Sequence, residues 1–326
     1  MQKSRDSIVY RARYSILGAM IGDALGTTLE FSTTTKAQKI LDNYSNFKDG
    51  LIGLGQFNLV PGQFTDDTEM ALAIMSVIIS AGKYDQTLVS RAYRYWYLSD
   101  PFDIGRTTQQ AVSQKSMDAM LKAAVMYNSE SLSNGFLMRL FGLVGLYYDK
   151  SREELLNSIV LDVKLTHGHP EAPYIAMIYG LLLYNAINGL SANDIYLLGR
   201  KKCKHSPLVK TIYDAVDNGR DYFVYHNHKY LLSQIDSQMI GFVGYAFWLL
   251  LLSLKKYKSY EMAIINTVRR GGDTDTNACI VGAVMGALYP DTIPILWIKS
   301  VTTFIDENRF RNYPIANPMI WVKWLP

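Results

Sequence analysis

The sequence predicts an all-α fold, a compact single-domain orthogonal helical bundle organised around one loop-lined site. Three observations carry that prediction. Apolar residues recur at helical spacing through most of the 326 residues, and no convincing period-two strand interrupts them. Glycine and proline clusters separate the periodic segments. Two short segments, Gly62-Gln63-Phe64-Thr65-Asp66-Asp67-Thr68 and Arg269-Arg270-Gly271-Gly272-Asp273-Thr274-Asp275-Thr276, crowd carboxylates and threonine hydroxyls directly ahead of apolar, alanine- and glycine-rich runs.

Residues 6–22 read as a helix with Ile8, Val9, Ala12, Ile16, Leu17 and Met20 on a buried face. Its end, Gly18 to Gly26, places small residues every four positions, which lets another helix backbone or a ligand come close. Glu30 follows in a stretch with few other charges. Residues 32–63 read as an irregular connection, marked by Gly50, Gly53, Gly55, Pro61 and Gly62. The helix opened at 65–68 is apolar nearly all round and should be central. Residues 86–98 form an amphipathic helix, and Pro101-Phe102-Asp103-Ile104-Gly105 breaks it. Asp103 either caps the next helix or lines a pocket.

The Ser131–Gly135 turn opens a helix over 136–148 and is a plausible phosphate cradle. Helices over 151–163 and 174–190 flank Thr166-His167-Gly168-His169-Pro170. The two histidines lack a zinc-site pattern, so hydrogen-bonding or capping roles fit them better, with His167 the better substrate contact. Residues 203–238 are polar, aromatic and hard to read. Helices over 242–254, 260–268, 277–287 and 295–304 complete the bundle, followed by a proline-punctuated tail.

Composition narrows the function. A length prior of about 150 residues per domain would allow two domains, but the pattern reads as one unit over 1–326. Mean hydropathy is +0.01 and pI about 8.8. The net charge of +4 forms no basic stripe, so nucleic acid is not an expected partner. The apolar run 242–254 is too short to span a bilayer, which argues against a membrane role. Two cysteines give neither a disulfide framework nor zinc spacing. With no signal-peptide core at the N-terminus, a cytoplasmic location is expected.

The two acidic segments carry the chemistry. Asp or Thr ahead of an apolar helix is an ordinary N-cap, and Asp66 with Glu69 even has capping-box spacing. A cap needs one side-chain oxygen, however, and each segment offers at least three. Carboxylates this close repel unless a positive charge sits between them. Oxygen-only ligands suit the hard cations Mg²⁺ or Mn²⁺ better than zinc. The expectation is that both segments meet in one site holding two divalent cations.

Taken together, Gly22-Asp23-Ala24-Leu25-Gly26 with Glu30, then Thr65–Thr68, Thr166-His167 and Gly271–Thr276, resemble the ADP-ribosylglycohydrolase family over about residues 13–290, with 291–326 as a C-terminal extension. The resemblance implies an all-helical hydrolase with a binuclear magnesium or manganese centre. By that match, Thr65, Asp66 and Asp67 supply one side and Asp273, Asp275 and Thr276 the other. Asp66 or Asp67 activates water or stabilises charge on the ribose, and Glu30 is the alternative acid–base group. Pro101–Gly105 is similar to the arginine-directed bacterial branch, where the aspartate faces the modified arginine. Asn134, Gly135, Phe136 and His167 would hold ADP-ribose, and Phe242 would stack on adenine. The chain departs from the pattern at Leu140-Phe141-Gly142 and at Arg269-Arg270.

The expected partner is an ADP-ribosylated protein, with arginine favoured over serine, and ADP-ribose is the product. An O-glycosidic hydrolase and a silent ADP-ribose-binding relative are the alternatives. Retention of all six candidate ligands argues against silence, since a purely structural protein has no need of that charge cluster.

Overall fold

The computed structural model describes residues 5–42, 47, 49–235 and 239–326. It is helical nearly throughout, as the periodicity predicts. The central pair is α1 (Arg5–Gly26) with the glycine-rich helix over Thr274–Leu288. Gly18, Gly22 and Gly26 of α1 meet Gly282, Ala278 and the backbone at Asp275. A Cβ on Gly22 would fall 2.1 Å from the Ala278 carbonyl oxygen, so the two backbones touch where only glycine fits. Of the two readings of the four-residue spacing, the structure shows the helix backbone. Thr274 Oγ1 then donates to the Gly26 carbonyl at 2.6 Å, locking the ends of the pair together.

The helices in chain order after α1 are α2 (Thr34–Asp42), α3 (Asp66–Ala81), α4 (Gln86–Leu98), α5 (Arg106–Val112), α6 (Met117–Asn128), α7 (Leu140–Leu146), α8 (Arg152–Lys164), α9 (Ala172–Ile187), α10 (Ala192–Lys202) and α11 (Pro207–Asp217). A hairpin follows, β1 (Tyr222–Tyr225) with β2 (His228–Leu231), then α12 (Val243–Lys256), α13 (Tyr260–Val268), α14 (Thr274–Leu288), α15 (Ile295–Thr303), α16 (Glu307–Asn312) and α17 (Pro318–Trp321). α3 is buried without a break from Asp66 to Met75, the central position its all-round apolar character predicts.

Three local readings need correcting. The connection 32–63 contains α2, which buries Ala37 and Leu41 beneath a polar outer face. The segment 203–238 holds α11 and the antiparallel pair β1–β2, with His226 and Asn227 both at positive φ (48° and 61°) in the turn. The helix expected from 136 begins instead as a single 3₁₀ turn, Asn134–Phe136, ahead of α7. Residues 236–238 of the expected polar segment lie outside the described residues.

The C-terminal segment is tied to the base of α3 by a buried ion pair. Arg309 donates from Nε to Glu69 Oε1 at 2.6 Å and from a terminal nitrogen to Oε2 at 2.5 Å. Trp96 Nε1 also donates to Glu69 Oε2, at 2.7 Å. Glu69 therefore serves the tail and α4, not a capping box. Among the described residues no helix is long and apolar enough to cross a membrane.

Candidate active site

The loops ahead of α3 and α14 meet the segment after α1, as the acidic motifs predict. α3 has Thr65 as its N-cap, but Thr65 makes no side-chain cap. Asp23 of α1 fills that role from a distance. Its carboxylate accepts from Thr65 N–H (3.1 Å), Thr65 Oγ1 (3.0 Å), Thr68 N–H (3.1 Å) and Thr68 Oγ1 (2.6 Å). Two orphan helix donors and two hydroxyls are satisfied by one buried acid. Burial pushes the Asp23 carboxyl up to about 7, against hydrogen bonds from Thr68 and Thr65 that pull it down. Sequence reasoning assigned Asp23 no role; its lone acid among glycines in an apolar helix was the available signal.

On the other side, Gly271 and Gly272 adopt φ of +71° and +75°. Gly272 N–H donates to the Ser32 carbonyl at 3.0 Å and Phe31 N–H to the Gly272 carbonyl at 2.8 Å. This pairing clamps the Glu30–Ser32 segment against the start of α14. Side-chain oxygens of Glu30, Asp273 and Asp275 consequently lie within 4.8 Å of one another, all three residues buried. Thr276 Oγ1 donates to Asp67 Oδ2 at 3.1 Å, which joins the two acidic segments directly, and Thr65 Oγ1 divides its one proton between Asp23 and Asp67 Oδ2, the latter at 3.3 Å. Asn134 Nδ2 donates to Asp273 Oδ2 at 2.7 Å.

Electrostatically the cluster is incomplete by itself. Glu30 Oε2, Asp67 Oδ1 and Asp275 Oδ1 are buried and without a hydrogen-bond partner. Burial, reinforced by neighbouring carboxylates, raises Asp66, Asp67 and Asp275 well above the carboxylate range, and lifts Glu30 to about 9 and Asp103 to about 6. Among the described residues lining the cavity, only Arg106 is basic, and it is exposed. Orphaned, all-oxygen donors beside clustered carboxylates are the donor set that a hard divalent cation fits.

A cavity of about 280 Å³ opens above the cluster, lined by Glu30, Asp66, Asp103, Asp273, Asp275 and Thr276, with Asn134 and Gly135 on one wall. Thr65 and Asp67 are fully buried beneath it. Phe136 and His167 lie behind the wall, packed edge to face with ring centroids 4.9 Å apart. His167 pairs with Ser133 Oγ through Nε2 (2.8 Å) and with Thr166 Oγ1 through Nδ1 (2.9 Å), so both ring nitrogens are spent on holding the loop. Burial and the nearby Arg139 charge keep that imidazole neutral.

The same loop is braced by Arg139. It donates to Asp162 Oδ2 at 2.8 Å, the Gly135 carbonyl at 2.9 Å and Thr166 Oγ1 at 2.8 Å. Phe242 lies in a neighbouring cavity of about 680 Å³, stacked on Tyr230 with centroids 4.6 Å apart. The two cavities share Ser133, Ile240 and Gly241, so they adjoin across these residues.

The scaffold is helical but for one hairpin, and it carries a buried carboxylate cluster beside an aromatic-lined cavity. The family model described as ADP-ribosylglycohydrolase matches residues 4–315, and the chain belongs to that family and is an enzyme of that class. The L543 protein of Acanthamoeba polyphaga mimivirus, named for ADP-ribosyl glycohydrolase, is 52% identical over 98% of this chain and 99% of its own. The ADP-ribosyl-[dinitrogen reductase] glycohydrolase of Rhodospirillum rubrum is 26% identical over 92% and 93%, and human ADP-ribosylhydrolase ARH3 is 23% identical over 89% and 88%. A solved ADP-ribosylglycohydrolase-related protein complex shares the fold, with a TM-score of 0.71 at 22% identity over 96% of this chain and 98% of that one.

Proposed function

We propose that this protein is a divalent-metal-dependent hydrolase that releases ADP-ribose from modified proteins by cleaving the glycosidic bond, with an N-linkage to arginine as the favoured substrate. The observation that carries the metal is the trio Glu30, Asp273 and Asp275, whose ligand oxygens lie within 4.8 Å while two of those residues keep an orphaned buried oxygen. Asp273, Asp275 and Thr276 would hold cations from one side and Thr65, Asp66 and Asp67 from the other, with Glu30 as an added ligand. Two Mg²⁺ or Mn²⁺ ions there would orient the ribose hydroxyls and lower the pKa of an attacking water.

Asp66 reaches the cavity whereas Asp67 is buried below it, so Asp66, once bound cations had lowered its raised pKa, would take the proton from that water. Asp67 is held by Thr65 and Thr276 and fixes the geometry beneath it. The surrounding carboxylates stabilise positive charge on the ribose as the bond to the leaving group breaks. Asp103 beside Asp66 presents a carboxylate to the forked donors of a guanidinium. Asn134 and Gly135 line the ribose end, and Phe242 offers its ring to the adenine from the neighbouring cavity.

The names of the relatives cover both arginine-directed enzymes and ARH3. Asp103, with no equivalent task on an uncharged serine linkage, favours arginine. The experiment is to replace Asp103 by Asn and compare the linkages. Loss of at least about tenfold in kcat/KM on ADP-ribosyl-arginine, with ADP-ribosyl-serine unaffected or improved, supports this assignment; equal loss on both removes it.

A further inference from the structure

Four large apolar side chains lie on segments that border the acidic cavity. Phe31 lines the cavity next to Glu30 and is 48% exposed, with its backbone at φ +53°. Leu54, at φ +66°, is 57% exposed. Phe57 packs on Phe102 with ring centroids 5.5 Å apart, and Phe102 directly precedes Asp103. Asn58, between Phe57 and Leu59, is also left-handed at φ +53°. Bulky residues avoid this conformation, and burial would not be served by an exposed Phe and Leu.

The backbone holds them there deliberately. Leu54 and Leu59 exchange both backbone hydrogen bonds, at 2.7 and 2.9 Å, which closes the loop 54–59 into a tight tongue. That tongue lies on the turn leading to Glu30: Thr28 Oγ1 donates to the Gly53 carbonyl at 2.9 Å, and a Cβ on Gly55 would meet the Thr27 carbonyl at 2.2 Å. Phe31 is fixed from the other side by its N–H bond to Gly272. Three of the seven non-glycine residues at positive φ among the described residues, Phe31, Leu54 and Asn58, thus sit beside the carboxylate cluster, and strained backbone held at a site's edge points to a function there.

We propose that Phe31, Leu54, Phe57 and Phe102 form a docking rim for the polypeptide that carries the modified side chain, with apolar residues flanking the modification seated on it. This rests on the hydrolase reading above. The aromatic cavity adjoins the acidic one across Ser133 and Gly241, so on that reading the ADP-ribose extends that way. The rim beside Asp103 is where the chain bearing the leaving group must emerge. A free ADP-ribosylated metabolite has nothing to place on it.

The test compares peptides carrying ADP-ribose in the linkage that the enzyme cleaves, flanked either by Leu and Phe or by Gly and Ser. The wild type is expected to favour the apolar-flanked peptide about tenfold in kcat/KM, the value of partly burying one such side chain. That preference is expected to shrink in Leu54→Asn and to vanish in the Leu54→Asn/Phe57→Ser double variant. Asn is chosen because it tolerates the left-handed backbone, so Leu54→Asn keeps the tongue folded. Equal rates on both peptides in the wild type, or a preference that survives the double variant, would overturn the docking rim and leave the hydrolase reading intact. Release from neither peptide would overturn both.

Discussion

Asp23 and Thr68 are 45 residues apart, yet the Asp23 carboxylate accepts from both the backbone N–H and the hydroxyl of Thr68, at 3.1 and 2.6 Å. One buried acid on the first helix thereby fixes the start of the helix that carries Asp66 and Asp67. The acidic centre is built on this contact between α1 and α3 as much as on its own carboxylates.

Replacing Asp23 by Ala leaves two backbone donors and the Thr68 hydroxyl buried without an acceptor, while the Thr65 hydroxyl keeps only Asp67. The expected cost is roughly 2–4 kcal/mol of stability. A urea titration reads it as a lower midpoint, and a midpoint unchanged within error would show that the donors find other partners.

In metal-free protein the raised carboxyls couple stability to pH. Asp103, Asp23 and Glu30 have folded values of about 6, 7 and 9, all above the unfolded carboxylate range near 4. The folded state therefore holds more protons between pH 4 and 9, and its stability falls as pH rises through that window. Thermal melts with EDTA should give a lower Tm at pH 8 than at pH 5.5, and Mn²⁺ should raise Tm more at pH 8. A metal-free Tm that climbs with pH would contradict the cluster's electrostatics.

The pair Glu69–Arg309 is buried on both sides. Arg309→Met strands a carboxylate and is expected to cost about 3–5 kcal/mol, while Glu69→Gln/Arg309→Met recovers part of it. Chemical denaturation of both variants checks the order. A single variant as stable as the wild type would mean that the tail is not anchored there.

Arg139 reaches Asp162, the Gly135 carbonyl and Thr166 at once with a planar fork. A lysine has the charge but not the fork. Arg139→Lys should loosen the 134–135 turn and raise KM for ADP-ribosylated substrate about tenfold, with a smaller change in kcat. A fall in kcat alone would place Arg139 in the chemistry.

Much of this was legible in the sequence because it is local. The helical periods of α3, α12 and α14 follow from apolar spacing, and Thr65–Thr68 with Asp273–Thr276 announce themselves by charge density. What was not legible depends on partners far along the chain. Asp23 caps a helix 42 residues away from its own position, and Glu69 has its spacing for a capping box but bonds to Arg309, 240 residues later. The hairpin 222–231 turns on His226-Asn227, without the Asn-Gly signal that identifies such turns. Phe136 and His167 match the motif in sequence, yet their burial behind the cleft wall emerges only once Ser133 and Thr166 are placed.

The most direct test is release of free ADP-ribose from ADP-ribosyl-arginine and ADP-ribosyl-serine peptides, side by side, with Mg²⁺, Mn²⁺ or EDTA, for the wild type and for Asp273→Ala and Asp275→Ala. The account predicts release from the arginine peptide that EDTA abolishes and that falls by about 10²–10³ in either variant. Release that persists in EDTA, or full activity in either variant, would contradict it.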